Sequence, residues 1–373
     1  MSSNEPPPVV THIVSGDLWA GAEVQIYYLC KALKTSGAVL PTAVVFNEGI
    51  LSTKLREIDM PVDIADEGHL TPFQIIRTIR NHCRKHQSRV VHTHGFKENI
   101  LGIIGKDLAR VPYSVRTIHG NPETAFTPRR PVKWLIHHLD ILLGRFRQQA
   151  IIAVSTQLEE KLHPMFPGKV HKIFNFIDVD EVRKQWLVPE KTPQTPLRIG
   201  IVGRLVAVKR VDIFLRTIAL LNEQGLACTG VIIGSGPLEG QLQQLAEDLN
   251  ISDHIEFTGF VNPALRELRK LDLLLMTSDH EGLPMTLLEA LALEIPVAAH
   301  RAGGIPEILD HGNCGWLVED QSAESYASIA TTILETGAGR NRKQQEGLAR
   351  VRDVFGIHKN TLKYIALYKN DSA

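Results

Sequence analysis

Short apolar runs alternate along the chain with longer stretches whose apolar residues recur at helical spacing. The short runs predict buried strands, and the longer stretches predict amphipathic helices. Regular alternation of the two is typical of parallel, doubly wound sheets, so we predict an α/β fold. The predicted strands cover residues 9–14, 39–46, 62–64, 90–94, 113–118 and 150–154, and then 197–202, 231–233, 255–257 and 271–276.

The length of 373 residues exceeds what one core usually serves and suits two α/β domains. A polar segment rich in proline, residues 187–196, separates the two blocks of strands and is typical of a linker. We therefore predict a first domain over residues 1–186 and a second over residues 197–356. An amphipathic pattern then predicts a last helix over residues 357–368.

The most informative stretch follows the apolar run 271–276. Glu281 lies just beyond this predicted strand, and Glu289 lies on the helix that comes next. Gly282 and Pro284 end the strand pattern, and Pro284 is predicted at the first helical position, where a missing N–H is tolerated. The strand end would deliver Glu281 into a crevice toward which the free N–H groups of the helix also point. Two carboxylates beside an anion-binding helix end suit a nucleotide sugar, which carries both hydroxyls and phosphate.

The alternative is that both glutamates are ordinary solvent-exposed helix residues. Glu289, however, lies inside the apolar run 287–293, and a carboxylate in such surroundings usually has a partner. The sequence context therefore favours the ligand-binding interpretation.

The second domain opens with a strand, a glycine-containing loop and an amphipathic helix. Gly203, Arg204 and Lys209 follow the predicted strand 197–202. Two cations beside helix N–H groups would clamp a diphosphate, whereas isolated basic residues on loops are usually only solvated. Their place directly after a buried strand favours the phosphate site.

Two glycines follow the first predicted strand. Gly16 and Gly21 lie in the loop between strand 9–14 and a helix, and a plain tight turn explains them as well as a ligand does. The loop lacks the G-x-G-x-x-G pattern, which disfavours a nicotinamide dehydrogenase.

Histidines follow two later strands. His94 and His119 lie just beyond strands 90–94 and 113–118, where ligands bind in this architecture. His92 and His94 suggest a metal pair, but we find no third His, Cys or Asp that completes a site, and we predict no metal.

The motifs resemble the signature of family 4 glycosyltransferases, which are retaining enzymes of GT-B architecture. Glu281 and Glu289, with seven residues between them, and Arg204 with Lys209 carry the most specific part of this resemblance. It implies two Rossmann-like doubly wound domains facing each other across a cleft. The first would bind the acceptor, the second would bind the sugar-nucleotide donor, and helix 357–373 would pack back on the first.

The resemblance also assigns roles to individual residues. It implies that the catalytic residues are Glu281, Lys209, Arg204 and His119. It implies that the donor is bound by Gly16, Gly21, Gly203, Gly236, Gly282, Leu283, Pro284, Met285, Thr286 and Glu289. The acceptor-side candidates are His94 and Asn121.

The implied activity moves a hexose-type sugar from a nucleotide-sugar donor, with UDP as the expected nucleotide, to a glycan or lipid-linked acceptor. It would retain the anomeric configuration, need neither metal nor other cofactor, and serve polysaccharide or lipopolysaccharide biosynthesis. Two alternatives stay open. One is a sugar-nucleotide 2-epimerase of the same architecture, with His94, His119 and Glu123 as acid–base candidates. The other is a non-catalytic protein that binds sugar nucleotides.

Charge and cysteine usage restrict the partners. Lys plus Arg and Asp plus Glu both number 41, which argues against nucleic acid. Residues 1–180 carry 21 basic and 17 acidic side chains, an asymmetry that suits a first domain facing something negative. Four cysteines without paired spacing suit a reducing cytoplasm, and no window has the length of a membrane span. We expect a cytoplasmic protein, at most peripheral on the inner face of the membrane.

Two basic stretches are candidates for membrane contact. Residues 72–85 predict an amphipathic helix without acidic residues, and residues 129–136 combine basic residues with Trp134. Docking to an anionic surface would suit a lipid-linked acceptor. The alternative for 72–85 is a solvated helix packed by Phe73 and its apolar neighbours. Residues 139–146 are apolar nearly all round and are predicted as core.

Overall fold

Two parallel β-sheets organise the residues that the structure, a computed structural model, describes: 6–120, 131–187, 196–335 and 337–369. They belong to two units. The first comprises Met1–Phe176 and Ile357–Ala373, and the second comprises Ile177–Gly356. Each unit has a Rossmann-like parallel sheet, which confirms the predicted α/β class.

The first sheet is made of seven strands in the order β3-β2-β1-β4-β5-β6-β7, and the second of six in the order β10-β9-β8-β11-β12-β13. The strands are β1 (Val9–Val14), β2 (Leu40–Val45), β3 (Val62–Ile64), β4 (Val90–Thr93), β5 (Tyr113–Ile118), β6 (Ala150–Ala153), β7 (Val170–Lys172), β8 (Leu197–Val202), β9 (Cys228–Ile233), β10 (Ile255–Gly259), β11 (Leu273–Met276), β12 (Val297–His300) and β13 (Trp316–Val318). Strand order therefore reverses between β1 and β4 in the first sheet and between β8 and β11 in the second.

Helices connect the strands. They are α1 (Gly21–Ser36), α2 (Ile50–Glu57), α3 (Pro72–Lys85), α4 (Phe96–Ala109), α5 (Pro131–Arg147), α6 (Thr156–Leu162), α7 (Val179–Trp186), α8 (Val211–Glu223), α9 (Glu239–Asp248), α10 (Leu265–Leu268), α11 (Met285–Ala292), α12 (Ile305–Ile308), α13 (Ala323–Glu335), α14 (Gly337–Val354) and α15 (Ile357–Lys369). No helix in these described ranges is long and apolar enough to cross a membrane.

Strand alternation places the buried clusters of the first unit on opposite faces of its sheet. On one face of the sheet Val10 and Val90 pack with Tyr364 of α15, and on the other Ile13 packs with Ile75 of α3. Neighbouring side chains of a strand point to opposite faces, which explains this division. The last helix is therefore part of the first unit.

The boundary between the units falls before the predicted linker. Asp178 caps α7 by accepting a hydrogen bond from the N–H of Glu181 at 3.0 Å. Arg183 of α7 then pairs with Glu294 at 2.6 Å and donates to the carbonyl of Ala292. These contacts attach α7 to the second unit, although the predicted first domain extended to residue 186. Residues 188–195 of the predicted linker lie outside the described residues.

One core prediction for the first unit is wrong, and the packing suggested for residues 72–85 holds for Ile79 but not for Phe73. Leu139, Leu142 and Phe146 of α5 are exposed, the last with 71 % of its surface accessible, although residues 139–146 were expected in the core. Phe73 at the start of α3 is also exposed rather than packed, while Ile79 of the same helix is buried. Apolar periodicity identifies the apolar face of a helix but does not show which element, if any, covers that face.

Candidate active site

The reversal of strand order in the second sheet brings together the loops after β8 and β11. Ligands bind at such a switch point, beyond the carboxyl ends of the strands. Thr277, which follows β11, donates from its hydroxyl to the carbonyl of Lys209 at 2.8 Å. The N–H of Asp279 donates to the carbonyl of Val208 at 2.9 Å. The two loops are thus tied together through backbone and a buried threonine, which our sequence analysis had not singled out.

Lys209 and Glu281 meet at this place. The Lys209 Nζ lies 2.5 Å from Glu281 Oε1, and their side chains are 25 % and 10 % exposed. The residues are 72 positions apart in sequence and reach each other because their loops follow adjacent strands. A cation and a carboxylate that both remain partly accessible form a polar site beside the sheet edge. Arg204 lies on the same loop as Lys209 and is exposed.

Glycines let the loops after β8 and β9 approach each other closely. A Cβ on Gly236 would lie 2.6 Å from the backbone N and O of Leu205, so the loop after β9 rests directly on the loop after β8. Gly203, at φ +154°, has a backbone that side-chain-bearing residues rarely adopt, and a Cβ there would lie 3.3 Å from Lys209 Cε. These two predicted donor-binding glycines therefore have a clear packing role. Their contact with a donor stays a prediction.

The loop after β12 holds Glu281 in place. Gly303 has φ +56°, and a Cβ on it would lie 1.7 Å from the carbonyl oxygen of Glu281. The N–H of Gly304 donates to the carbonyl of Gly282 at 2.8 Å. The backbone that carries Glu281 is thus braced by a contact that only glycine permits.

Gly303→Ala is expected to displace Glu281 and to lower kcat/KM by roughly 100-fold, since small misplacements of catalytic groups have effects of that order. Gly225→Ala is the matched control, because Gly225 also has positive φ, at +86°, but nothing lies within 4 Å of its added Cβ. Positive φ should cost both variants about 1–2 kcal/mol of unfolding free energy. Gly303→Ala should lose more than this, because its Cβ also overlaps the carbonyl oxygen of Glu281. Enzyme kinetics and thermal unfolding separate the effects, and equal loss of activity in the two variants would contradict the bracing role.

Helix α11 begins at the same edge. Pro284 is its N-cap, so the first helical residue is Met285 and the predicted position of Pro284 is off by one. Leu283 and Met285 are buried, so only their backbone faces the loop region. The first N–H groups of a helix have no partner within it, and those of Met285 and Thr286 are available to an anion.

Glu289 lies one turn further along α11. Its side chain is buried, with 8 % of the residue exposed, and burial raises its pKa to about 7. A buried carboxylate is stabilised by a hydroxyl that donates to it, because this bond replaces the hydrogen bonds to water that burial removed. The sequence prediction that Glu289 is not an ordinary surface residue is confirmed, while its contact with ribose stays a prediction.

The predicted residues of the first unit form a second group. Gly16, at φ +76°, packs tightly against β2, because a Cβ would lie 2.4 Å from Val45 Cγ1. Gly21 is the first residue of α1, which follows the N-cap Ala20. The tight-turn interpretation accounts for Gly16, and no donor contact of either glycine is tested by the structure.

His94 and His119 are joined by a hydrogen bond, 3.2 Å between Nδ1 and Nε2. The statement that no third histidine completes a cluster is wrong, because His12 of β1 lies beside His92 and His94, with ligand-type atoms within 4.8 Å. His12 and His92 are register partners on adjacent strands, a relation that the sequence does not reveal. Asn121 and Glu123 lie outside the described residues.

Two family models match consecutive parts of the chain. "Glycosyltransferase Family 4" matches residues 19–181, and "Glycosyl transferases group 1" matches residues 182–350. Among solved structures, Anabaena Alr3699/HepE in complex with UDP-glucose superposes with a TM-score of 0.79 at 19 % identity, covering 97 % of this chain and 99 % of that one. The lipopolysaccharide outer core galactosyltransferase WaaB superposes with a TM-score of 0.68 at 17 % identity, covering 97 % and 99 %. The fold is thus that of the GT-B glycosyltransferases, as predicted.

Curated relatives agree with this class. The amylovoran biosynthesis glycosyltransferase AmsK of Erwinia amylovora is 34 % identical over 44 % of this chain, a match that spans 42 % of AmsK. The N-acetyl-alpha-D-glucosaminyl L-malate synthase of Bacillus anthracis is 26 % identical over 68 % of this chain and 67 % of its own length. The chain belongs to family 4 of the glycosyltransferases, which confirms the resemblance seen in the sequence.

Proposed function

We propose that this protein transfers a hexose-type sugar from a nucleotide-sugar donor to a glycan or lipid-linked acceptor, with retention of anomeric configuration. The observation that carries this proposal is the site formed by Lys209, Glu281 and the start of α11 at the switch point of the second sheet. It combines a cation, a carboxylate and helix N–H groups. A sugar linked to a diphosphate needs all three.

The donor is proposed to be a UDP-sugar. The structural neighbour HepE binds UDP and UDP-glucose according to its crystal structures, which supports this choice by likeness of fold. Glu289 would accept hydrogen bonds from the ribose hydroxyls, as acidic residues do in other nucleotide-binding folds. Glu281 and the N–H groups from Gly282 to Thr286 would hold the sugar and its phosphate.

The chemistry follows from the charge that develops as the glycosidic bond breaks. The leaving diphosphate becomes more negative, and Lys209, Arg204 and the N–H groups at the start of α11 would oppose that charge. We propose that the donor phosphate takes the acceptor proton on the same face of the sugar, so that configuration is retained without a carboxylate nucleophile. In this scheme the protein's own cations fill the role that a metal ion has in other transferases.

Incubation of the purified protein with labelled UDP-sugars, with and without glycan or lipid-linked acceptors, tests the proposal. Transfer to an acceptor with the donor's anomeric configuration, read by NMR of the product, is the expected result. An inverted product would overturn retention. Epimerised donor without transfer would identify the 2-epimerase alternative, and binding without turnover would identify a non-catalytic sugar-nucleotide-binding protein.

We further propose that the first unit docks on the inner face of an anionic membrane, where a lipid-linked acceptor would be found. The neighbouring helices α3, α4 and α5 expose large apolar side chains, namely Phe73, Ile104, Leu108, Trp134, Leu135, Ile136, Leu139, Leu142 and Phe146. Exposed basic residues accompany them, including Arg77 and Arg84 on α3 and Arg145 and Arg147 on α5. Apolar insertion with basic residues beside it is how interfacial helices bind anionic lipid.

Sedimentation with vesicles containing phosphatidylglycerol is expected to pull down the wild-type protein at low salt and less of it at high salt. The double variant Leu142→Ser/Phe146→Ser should partition at least about tenfold less, because burying one such side chain is worth roughly 1.5–3 kcal/mol. Leu362→Ser, at an equally exposed leucine of α15, is the control and should bind as wild type does. Equal partitioning of all three proteins, or no binding to anionic vesicles, would contradict the docking surface.

A further inference from the structure

Three imidazoles, that of His12 buried and those of His94 and His119 half-buried, form a hydrogen-bonded row across the first sheet. His12 Nδ1 lies 3.0 Å from His94 Nε2, and His94 Nδ1 lies 3.2 Å from His119 Nε2. The row begins on β1 and crosses the end of β4 to the end of β5. It therefore spans the point where strand order reverses, which is where ligands bind in such sheets.

All three histidines are neutral at physiological pH. Burial lowers the pKa of His12 to about 3 and that of His119 to about 4, and it holds the pKa of His94 well below its ordinary value. A neutral imidazole has one N–H and one lone pair, so each is a donor at one nitrogen and an acceptor at the other. The row can therefore form both of its hydrogen bonds with only two arrangements of the protons.

In the first arrangement every histidine carries its proton on Nδ1. His12 then donates to His94, His94 donates to His119, and the Nδ1–H of His119 is left at the end of the row. In the second arrangement every proton is on Nε2, the bonds run the other way, and the Nε2–H of His12 is left at the opposite end. A mixed arrangement would face two lone pairs or two protons toward each other.

The two ends of the row differ in their surroundings. His12 Nε2 and His119 Nδ1 are both buried and have no hydrogen-bond partner among the residues that the structure describes. His12 is a residue of β1, and its ring lies beside that of Tyr368 on α15. His119 follows β5 at the carboxyl edge of the sheet. Buried N–H groups without a partner are rarer than acceptors without one. His12 is fully buried, whereas His119 is half-buried, so a proton at the His119 end lies closer to water and to a substrate oxygen. The first arrangement is therefore favoured, with or without substrate.

A second network keeps His92 apart from this row. Its Nδ1 lies 2.6 Å from the hydroxyl of Tyr368, and its Nε2 lies 2.8 Å from Thr117 Oγ1. Both ring nitrogens of His92 are therefore engaged. A metal ion bound by His12, His92 and His94 would have to break one of these bonds and also one of the two bonds of His94, to His12 or to His119.

We propose that His12 and His94 are positioning residues that hold His119 in its Nδ1–H tautomer, so that His119 presents a hydrogen-bond donor to a substrate hydroxyl. The role of His119 toward substrate rests on the proposed function. The common tautomer of the three rings does not, because it is a property of the protein without ligand.

The ¹⁵N chemical shifts of the histidine rings test the tautomers directly, since protonated and unprotonated imidazole nitrogens differ widely in shift. The wild-type protein without substrate should show Nδ1–H at His12, His94 and His119. A proton on Nε2 at any of the three, or tight binding of Zn²⁺ by the row, would overturn the proposal.

Variants at His12 test the coupling through His94. His12→Phe removes the first donor and should leave His119 in mixed tautomers, although the two residues do not bond to each other. His12→Asn can restore an N–H near the Nδ1 position and should restore the single tautomer of His119. This variant keeps the test possible if His12→Phe does not fold. His82→Asn, at a buried histidine bonded to Asp63 in the same unit, should leave the shifts of His119 unchanged. A His119 spectrum that ignores every change at His12 would overturn the coupling.

Transfer activity gives an independent outcome. His12→Phe should lower kcat/KM by about tenfold, the size expected for one lost hydrogen bond, and His12→Asn should recover most of it. Correct tautomers without sugar transfer would refute the proposed function and leave the histidine row intact. Sugar transfer by a wild-type protein whose histidines show mixed tautomers would refute only the proposed positioning role of His12 and His94.

Discussion

Lys209→Ala is expected to lose about 100- to 1,000-fold in kcat while the protein keeps its fold, since removing one group that stabilises transition-state charge has effects of that size. The Lys209 Nζ lies 2.5 Å from Glu281 at the switch point of the second sheet. The ammonium group would face the leaving diphosphate, whose charge grows in the transition state. The affinity for the ground-state donor should therefore fall less than kcat.

Lys209→Ala should change the free energy of unfolding only slightly. The Lys209 side chain is 25 % exposed, and partly exposed ion pairs contribute about 1 kcal/mol or less. Arg210→Gln is the matched control, because Arg210 is the next residue and pairs with Asp212 and Asp279 rather than with Glu281. Single-turnover kinetics, donor titration and thermal unfolding of both variants measure the three quantities. Wild-type turnover in Lys209→Ala, or an equal loss in Arg210→Gln, would remove Lys209 from the mechanism.

Glu289→Gln is expected to stabilise the free protein at high pH and to weaken donor binding. Burial raises the pKa of Glu289 to about 7 in the folded protein, above its value in the unfolded chain. Between these two pKa values the folded state binds more protons, so wild-type stability decreases as pH rises through that window. The glutamine variant lacks this loss and should gain up to about 3 kcal/mol at pH 8 and little at pH 4.

Donor affinity should change in the opposite direction. A carboxylate that accepts ribose hydroxyls makes charge-assisted bonds of roughly 1.5–3 kcal/mol, so the variant should bind UDP about 10- to 100-fold more weakly. Glu346→Gln, at a surface glutamate of α14 paired with Arg342, is the control and should change neither quantity. Calorimetric titration with UDP and unfolding at both pH values provide the measurements. A stability gain without loss of affinity would confine Glu289 to a structural role.

The sequence predicted strands well where apolar β-branched residues form a run. β1 and β8, both rich in Val and Ile, have the predicted bounds, because such runs suit a sheet covered on both faces. β7, β12 and β13 were not predicted. β7 has only three residues, two of them His171 and Lys172, and a short strand at the edge of a sheet needs neither length nor apolar residues on both faces.

The candidate site was predictable as far as strand, loop and helix follow one another along the chain. This order places Lys209 and Glu281 at the same sheet edge, because both loops leave the carboxyl ends of parallel strands. Their ion pair and the approach of Gly303 to Glu281 depend on how loops pack, which local pattern does not encode. Likewise, His12 joins His92 only through strand register.

The prediction for α5 failed for a related reason. A helix that is apolar nearly all round is usually enclosed, yet Leu142 and Phe146 are exposed in the first unit. Burial depends on whether another element lies over the helix, and periodicity carries no information about that. The exposed apolar side chains of α5 form part of the proposed docking surface.

A crystal structure of the protein with a bound UDP-sugar, grown in buffer containing a metal chelator, tests the central claim most directly. The account predicts the diphosphate within hydrogen-bond distance of Lys209 Nζ and of the N–H groups of Met285 and Thr286, with the ribose hydroxyls on Glu289. A diphosphate bound elsewhere, with Lys209 still paired to Glu281 and no phosphate at the start of α11, would contradict it.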